Sequence, residues 1–443
     1  MGDLMLATWV GTQADDSFPD AWKTDTAGSV NSRAKVYLSP KLWYLRATVM
    51  EGQDILFGSK ESMLQVKVQL GSQVLKTKPV SIRNGSPAWN EDLMFVAAEP
   101  FGDQLVITLE TRGPKGSSFI IGVAQVALTT IERRVDDRNV VGRWFNFDDP
   151  NNSDQNKVYK ARVQLKLCFD GGYHVMEEAI HVCSDYRPTA RQLWKPAVGM
   201  VELGIIGCQN LLPAKAVNGK GSTDAYVVAK YGPKWVRTRT VSDSLDPKWN
   251  EQYTWKVYDP CTVLTIGVFD SSGIFNFEGE EAQQGMRPDL RIGKVRVRIS
   301  TLQTGRVYRN TYPLLTLTPI GLKKMGDIEL AVRFVRNTAT LDVLQVYSQP
   351  LLPLMHHIKP LTPGQQEMLR SATVKILVLH LSRSEPPLGH EVVQYMLDAD
   401  SNTFSMRKVR ANWFRIINLV AGVIDVVKWV EDTRTWKTPT STF

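Results

Sequence analysis

The segment Pro87-Ala88-Trp89-Asn90-Glu91-Asp92 returns as Pro247-Lys248-Trp249-Asn250-Glu251-Gln252, a spacing of 249 − 89 = 160 residues. The pieces around each copy keep the same order. Trp43-Tyr44-Leu45-Arg46-Ala47-Thr48-Val49 leads into Gly52-Gln53-Asp54-Ile55, and Met200-Val201-Glu202-Leu203-Gly204-Ile205-Ile206 leads into Cys208-Gln209-Asn210-Leu211. Downstream, Leu105-Val106-Ile107-Thr108-Leu109 answers Leu264-Thr265-Ile266-Gly267-Val268, and Ile121-Gly122-Val123 answers Ile292-Gly293-Lys294. A period this long marks a tandem domain, since solenoid units repeat every 20–50 residues or so. A chain of 443 residues has room for two or three domains.

Both copies read as β. Short β-branched runs are separated by clusters of Gly, Pro, Asn and Asp. In Lys294-Val295-Arg296-Val297-Arg298-Ile299 the period of two buries Val295, Val297 and Ile299 and sends Lys294, Arg296 and Arg298 to water. Arg162-Val163-Gln164-Leu165-Lys166-Leu167 does the same in the first copy. The expectation is a mainly β protein with two tandem eight-stranded antiparallel sandwiches at 35–170 and 197–336, joined by a linker at 171–196. Residues 1–34 read as the last strand of a preceding domain and a linker. Beyond 336 the pattern turns helical, with Thr362-Pro363 in capping position and further helices at 389–397 and 412–430.

Composition narrows the setting. Lys and Arg exceed Asp and Glu by 53 to 45, a net +8 that favours acidic partners, either anionic membrane or nucleic acid. Cys168, Cys183, Cys208 and Cys261 form no CxxC pair and read as reduced, inert thiols of a cytosolic setting. Leu4-Met5-Leu6-Ala7 is too short an apolar run for a signal peptide. The apolar run from Ile416 to Ile424 is stopped by Asp425 and Lys428, short of the roughly 20 residues a spanning helix needs.

Thr223-Asp224-Ala225-Tyr226-Val227, Pro247-Lys248-Trp249-Asn250-Glu251 and Gly267-Val268-Phe269-Asp270 resemble the C2 domain, an eight-stranded sandwich that often binds phospholipid. Longer segments are similar to the plant multiple C2 domain and transmembrane region proteins, the group of the florigen-interacting and QUIRKY-like proteins. They include Lys35-Val36-Tyr37-Leu38-Ser39-Pro40-Lys41-Leu42-Trp43-Tyr44-Leu45-Arg46 and Arg187-Pro188-Thr189-Ala190-Arg191-Gln192-Leu193-Trp194-Lys195-Pro196. Trp249-Asn250-Glu251-Gln252-Tyr253-Thr254-Trp255, Glu385-Pro386-Pro387-Leu388-Gly389, Tyr395-Met396-Leu397-Asp398-Ala399-Asp400-Ser401 and Ala411-Asn412-Trp413-Phe414-Arg415-Ile416 complete the set. The resemblance implies a fragment, in which 337–443 is the helical start of a phosphoribosyltransferase-C-like, membrane-associated C-terminal region.

The same resemblance brings calcium into view as a cofactor, for the second sandwich only. Asp224 and Asp270 stand where the family places ligands; the helper positions are the neutral Asn218 and Ser272, with Glu278 in an enlarged loop. Calcium takes six to eight oxygens, mostly from carboxylates, so two firm acids imply weak binding. An Asp capping its own turn accounts for Asp224 equally well. In the first copy Thr111 replaces Asp270, and Arg112 and Lys115 lie nearby, which implies independence from calcium.

Lys230, Lys234, Arg237, Arg239, Lys294, Arg296 and Arg298 make the second copy's strands basic. On a C2 face such a patch reads anionic headgroups, each cation contributing on the order of 1 kcal/mol; alternating charges on a solvated face are the plainer reading. Trp235 suits insertion at headgroup level or packing on Pro233. Met406-Arg407-Lys408-Val409-Arg410-Ala411-Asn412-Trp413-Phe414-Arg415 suits an interfacial helix or one docked on a neighbour.

No Walker loop, HExxH or GxSxG occurs. His356-His357 is an isolated pair, and Asp398-Ala399-Asp400-Ser401-Asn402 lacks the Gly and final Glu of an EF-hand loop. The chain therefore reads as a non-enzyme. Stacking aromatics and Arg-rich runs are also lacking, which argues against nucleic acid. The expected function is a phospholipid-binding membrane tether. By resemblance it sits on the cytosolic face of the endoplasmic reticulum, at plasma membrane contacts in plasmodesmata, and supports cell-to-cell transport. A scaffold carrying a protein cargo, such as a mobile flowering signal or a transcription factor, is the alternative.

Overall fold

The computed structural model describes residues 34–56, 63–81, 86–112, 118–133, 139–150, 158–171, 197–217, 220–257, 263–271, 288–318, 321–336, 362–397 and 406–437. The strand expected before residue 34, nearly all of the linker 171–196 and the pair His356-His357 lie outside them. The chain forms two compact units. One comprises Pro40–Trp194 and Leu352–Thr373; the other comprises Met1–Ser39, Lys195–Leu351 and Val374–Phe443.

Strand β1 (Lys35–Leu38) belongs to the second unit. The first unit holds β2 (Leu42–Gln53), β3 (Met63–Leu70), β4 (Gln73–Lys76), β5 (Val80–Ser81), β6 (Ala88–Ala98), β7 (Gln104–Arg112), β8 (Ser118–Ala127), β9 (Glu132–Arg133), β10 (Arg143–Asp148) and β11 (Tyr159–Gly171). Their order is β4-β3-β7-β8-β10-β11-β2-β6, with β5 on β3 and β9 on β11. β8 and β10 pair only at Val123 and Asp148. The period of two is read directly in the core, which takes Trp43, Leu45, Ala47 and Val49 from β2 and Leu64, Val66 and Val68 from β3. Ile107 and Leu109 of β7 and Val163 and Leu165 of β11 join them.

The second unit holds β12 (Gly199–Gln209), β13 (Lys215–Val217), β14 (Lys220–Ser222), β15 (Ala225–Tyr231), β16 (Lys234–Arg237), β17 (Lys248–Val257), β18 (Val263–Asp270), β19 (Leu290–Arg298), β20 (Val307–Thr318) and β21 (Gly321–Arg336). One sheet runs β1-β16-β15-β18-β19, the other β17-β12-β21-β20, and β13-β14 is a separate hairpin. Residues 35–38, grouped by sequence with the first sandwich, pair instead with β16, Val36 opposite Val236 and Tyr37 opposite Trp235. Val36 enters the second core. Four alternating residues specify which face is apolar but not which sheet edge they complete.

The repeat has a physical cause. Asn90 and Asn250 hold left-handed φ angles of 52° and 53°. Each lies beside a bulge, where the β2–β6 register shifts between Val49 and Glu51 and the β12–β17 register between Ile205 and Gly207. Asn tolerates this region better than other side-chain-bearing residues. Pro87 O accepts from Gly52 N at 2.8 Å, and Pro247 O from Cys208 N at 2.9 Å. The indole Nε1 of Trp89 donates to Leu64 O, and that of Trp249 to Arg239 O. Gly122 and Gly293 are repeated because a Cβ there would stand 2.9 Å from Phe147 Cβ or 2.7 Å from Leu314 Cβ.

Three helices follow: α1 (Pro363–Ser382), α2 (His390–Leu397) and α3 (Met406–Arg434). Thr362 caps α1 reciprocally. Gln365 N donates to Thr362 Oγ1 at 3.3 Å and Thr362 N donates to Gln365 Oε1 at 3.0 Å. Leu369, Thr373, Val374, Leu377 and Leu381 form the buried stripe of α1. α3 begins at Met406, earlier than expected, and leaves Ile416, Val420, Val423 and Val427 exposed. Among the described residues no helix is long and apolar enough to cross a membrane.

Candidate functional site

At one end of the second sandwich, antiparallel pairing sets Ala225 of β15 opposite Asp270 of β18. Asp224 and Asp270 therefore meet, with Asp224 N donating to Asp270 Oδ1 at 2.6 Å. The hairpin β13–β14 brings Lys215 to the same place. Its Nζ lies 2.5 Å from Asp224 Oδ2 and 3.2 Å from Asp243 Oδ1. The other Asp224 oxygen accepts Asp243 N at 2.8 Å. Nearby, Tyr226 OH donates to Asp289 Oδ2. Burial pulls the Lys215 ammonium down, and the hydrogen bonds and charges of Asp224 and Asp243 more than reverse this, so its pKa is raised. Burial, joined by the charge of Asp224, pushes the Asp270 carboxyl up to about 6 against the Asp224 amide, which pulls it down.

Asn218 and Glu278 lie outside the described residues. Among those described, no group of three or more His, Cys, Asp or Glu could hold a metal. A calcium ion needs several free carboxylate oxygens. Here an ammonium and two backbone amides already occupy both Asp224 oxygens and one of the two Asp270 oxygens, so the described donors fit calcium poorly. Sequence reasoning missed Lys215, Asp243 and Asp289. The Asp243 backbone, at a left-handed φ of 53°, gave the only local signal, an Asp between two serines.

The basic residues separate into groups. Lys230, Arg237, Lys294 and Arg296 lie on the outer face of the five-stranded sheet by register, Arg237 opposite Val228, Lys294 opposite Gly267 and Arg296 opposite Thr265. They are less exposed than the alternation predicts, Arg237 being buried and the other three half-buried. Arg237 is 4% exposed, its guanidinium 4.2 Å from the Tyr226 ring centre and its Nη2 3.2 Å from Thr240 Oγ1. Lys230 lies 5.6 Å from the Trp235 ring, Lys294 donates to Tyr395 O, and Arg298 sits 4.3 Å from the Phe414 ring. Arg296 is half-buried.

Lys234 and Arg239 do not join this face. Lys234 donates to Thr254 O at 2.9 Å beside Trp255, and burial pulls its ammonium down to about 8. Arg239 lies past the end of β16, 3.7 Å from Glu251. Trp235 is fully buried, its Nε1 donating to Ser39 Oγ at 3.0 Å, so it packs and does not protrude.

The first sandwich differs at each matching place. The side chain of Thr77 accepts Val66 N as that of Thr238 accepts Val227 N, which aligns the two copies. Met63 then stands for Asp224 and Gln65 for Tyr226, and both Gln65 and Lys76 bond Glu110. Burial raises the Glu110 carboxyl, but those hydrogen bonds and the charges of Lys76 and Lys67 outweigh it and lower it overall.

A family model described as the C2 domain matches residues 43–147 and 199–314. Multiple C2 domain and transmembrane region protein 16 of Arabidopsis thaliana is 71% identical over 99% of this chain and 42% of its own length. Protein QUIRKY of the same plant is 51% identical over 100% of the chain and 42% of its length. FT-interacting protein 7 of Oryza sativa subsp. japonica is 49% identical over 100% of the chain and 58% of its length. The chain thus spans about half the length of these curated relatives. Among solved structures, the calcium-bound pair of C2 domains of extended-synaptotagmin 2 aligns over 68% of this chain and 98% of its own, at 18% identity and a TM-score of 0.29.

Proposed function

Because the chain belongs to the plant multiple C2 domain and transmembrane region proteins, we propose that it is part of a phospholipid-binding membrane tether. It docks on anionic lipid without requiring calcium, on the cytosolic face of the endoplasmic reticulum at plasma membrane contacts in plasmodesmata, in support of cell-to-cell transport. The observation that carries the membrane reading is α3. Over its length Trp413 and Trp429 are 59% and 57% exposed, and Ile416, Val420, Val423 and Val427 stand open between them. The first turns are basic, with Arg407, Lys408 and Arg410. A helix of this composition gains by lying in the headgroup layer, its Trp residues at the interface and its cations on acidic lipid. The names of the relatives, which include a transmembrane region, support the same reading.

A protein-cargo scaffold is the second reading, favoured by the name of the relative called FT-interacting protein 7. Co-sedimentation of the whole chain with phosphatidylserine vesicles, with calcium or with chelator, tests the first reading. Binding in chelator that falls with salt is expected. No binding in either buffer overturns it and leaves the scaffold, which a cargo pull-down would then address.

A further inference from the structure

The outer face of the second sandwich is aromatic as well as basic, and it is covered. Tyr37, Trp235, Tyr226, Val228 and Phe269 point away from the core by the period of two, yet all are buried. Over Tyr37 and Phe269 the cover is the stretch 384–397 of the same unit. Tyr37 OH donates to Pro386 O at 2.7 Å, and Asp289 N donates to Glu391 Oε1 at 2.7 Å. The Tyr395 ring meets Phe269 edge-on at 5.8 Å, with Arg291 5.2 Å and Lys294 4.0 Å from its centre. Gly267 has no room for a side chain because Met396 Sδ would stand 2.8 Å from its Cβ. Pro386, Leu388, Val392, Val393 and Met396 are buried in this contact region.

The matching face of the first sandwich carries Gln65, Lys67, Gln69 and Thr108, polar where the second face is aromatic; Gln65 and Thr108 are buried, and Gln65 bonds Glu110. The second face is thus chemically matched to a peptide with an apolar ridge, one carbonyl that accepts from Lys294 and another that accepts from the Tyr37 hydroxyl. Arg291 and Lys294, both against Tyr395, are the residues that anionic headgroups would otherwise meet.

We infer that residues 384–397 form an intramolecular latch on this face, and that a bilayer of anionic phospholipid competes with the latch for Arg291 and Lys294. The inference rests on the lipid-binding reading above. A face available only when the latch is released has its apparent affinity reduced by the released fraction. Loosening the latch therefore strengthens docking without adding a contact to lipid.

The test uses the whole chain, its Tyr395→Ala/Met396→Ala variant, and vesicles of phosphatidylcholine with or without phosphatidylserine. Amide hydrogen exchange over 390–397 reports release independently of lipid. Faster exchange with an affinity for the phosphatidylserine vesicles about tenfold higher supports the inference, provided Arg291→Gln/Lys294→Gln on the same background removes the gain. Faster exchange with unchanged binding overturns the competition while the membrane reading stands on α3. Absence of binding by both proteins overturns both. If the double variant does not melt cooperatively, Tyr37→Phe/Glu391→Ala removes only the polar anchors, and the same outcomes apply.

Discussion

The Lys215 ammonium bridges the carboxylates of Asp224 and Asp243, 2.5 Å from one and 3.2 Å from the other, at the tip where β15 and β18 meet. It supplies in-chain the positive charge that this tip needs. Lys215→Met leaves the buried Asp224 carboxylate short of a partner, a loss of about 1–3 kcal/mol. Thermal melts should show that loss, and millimolar calcium should raise the melting temperature of the variant while leaving the parent unmoved. A parent protein stabilised by micromolar calcium would sink this reading of the tip.

Asp270 gives the same tip a pH dependence. Its carboxyl titrates at about 6 where its ordinary value is 3.8, chiefly through burial. A raised folded-state value means that the folded protein holds the proton more tightly. The stabilisation is complete below about pH 4 and is lost as pH rises through about 6. Asp270→Asn keeps an oxygen for the Asp224 amide and removes the titration. Melts across this window should show the variant gaining on the parent as pH rises; parallel curves would exclude Asp270 as the source.

Asn90 and Asn250 both have exposed side chains, so their left-handed backbone is the reason for their identity. Asn250→Ala should cost about 1–2 kcal/mol, since an L-residue with a Cβ crowds its carbonyl there. Asn250→Gly should cost little. Denaturant titration of the two variants separates the backbone effect from loss of the amide group: equal losses would point to the side chain.

Thr362 closes the first turn of α1 with Gln365. Removing the hydroxyl with Thr362→Ala should weaken that turn by about 1 kcal/mol. Amide exchange should accelerate at the N-terminal turn of α1 and stay unchanged in β12 and β21.

The alternation of Val295 and Val297 and the Trp and Asn of each repeat were legible, because each depends on local period or on the repeated order of strands; the meeting of Asp224 with Asp270 was legible only through the resemblance to C2 domains. The fate of the cations was not. Alternation states that Lys294 and Arg296 share a face, but not that Tyr395 and α2 lie over it. A signal was present in Ala225-Tyr226-Val227-Val228-Ala229, a continuous apolar run of the kind found in strands covered on both sides. Its counterpart in the first sandwich, Leu64-Gln65-Val66-Lys67-Val68, alternates apolar and polar. Lys215 had no signal, since a lysine in a loop carries no mark of the carboxylate it will reach.

The pairing of β1 with β16 bears on how the protein can be cut. A piece starting near residue 199, where the second family match begins, leaves Lys35–Leu38 behind and bares the β16 edge. An unprotected edge invites other strands and aggregates. Ending the piece at 336 would also strip Tyr395 from Phe269. During synthesis Ser39 emerges 196 residues before Trp235, the residue it bonds, so this domain closes only after the whole of its neighbour's chain has been made.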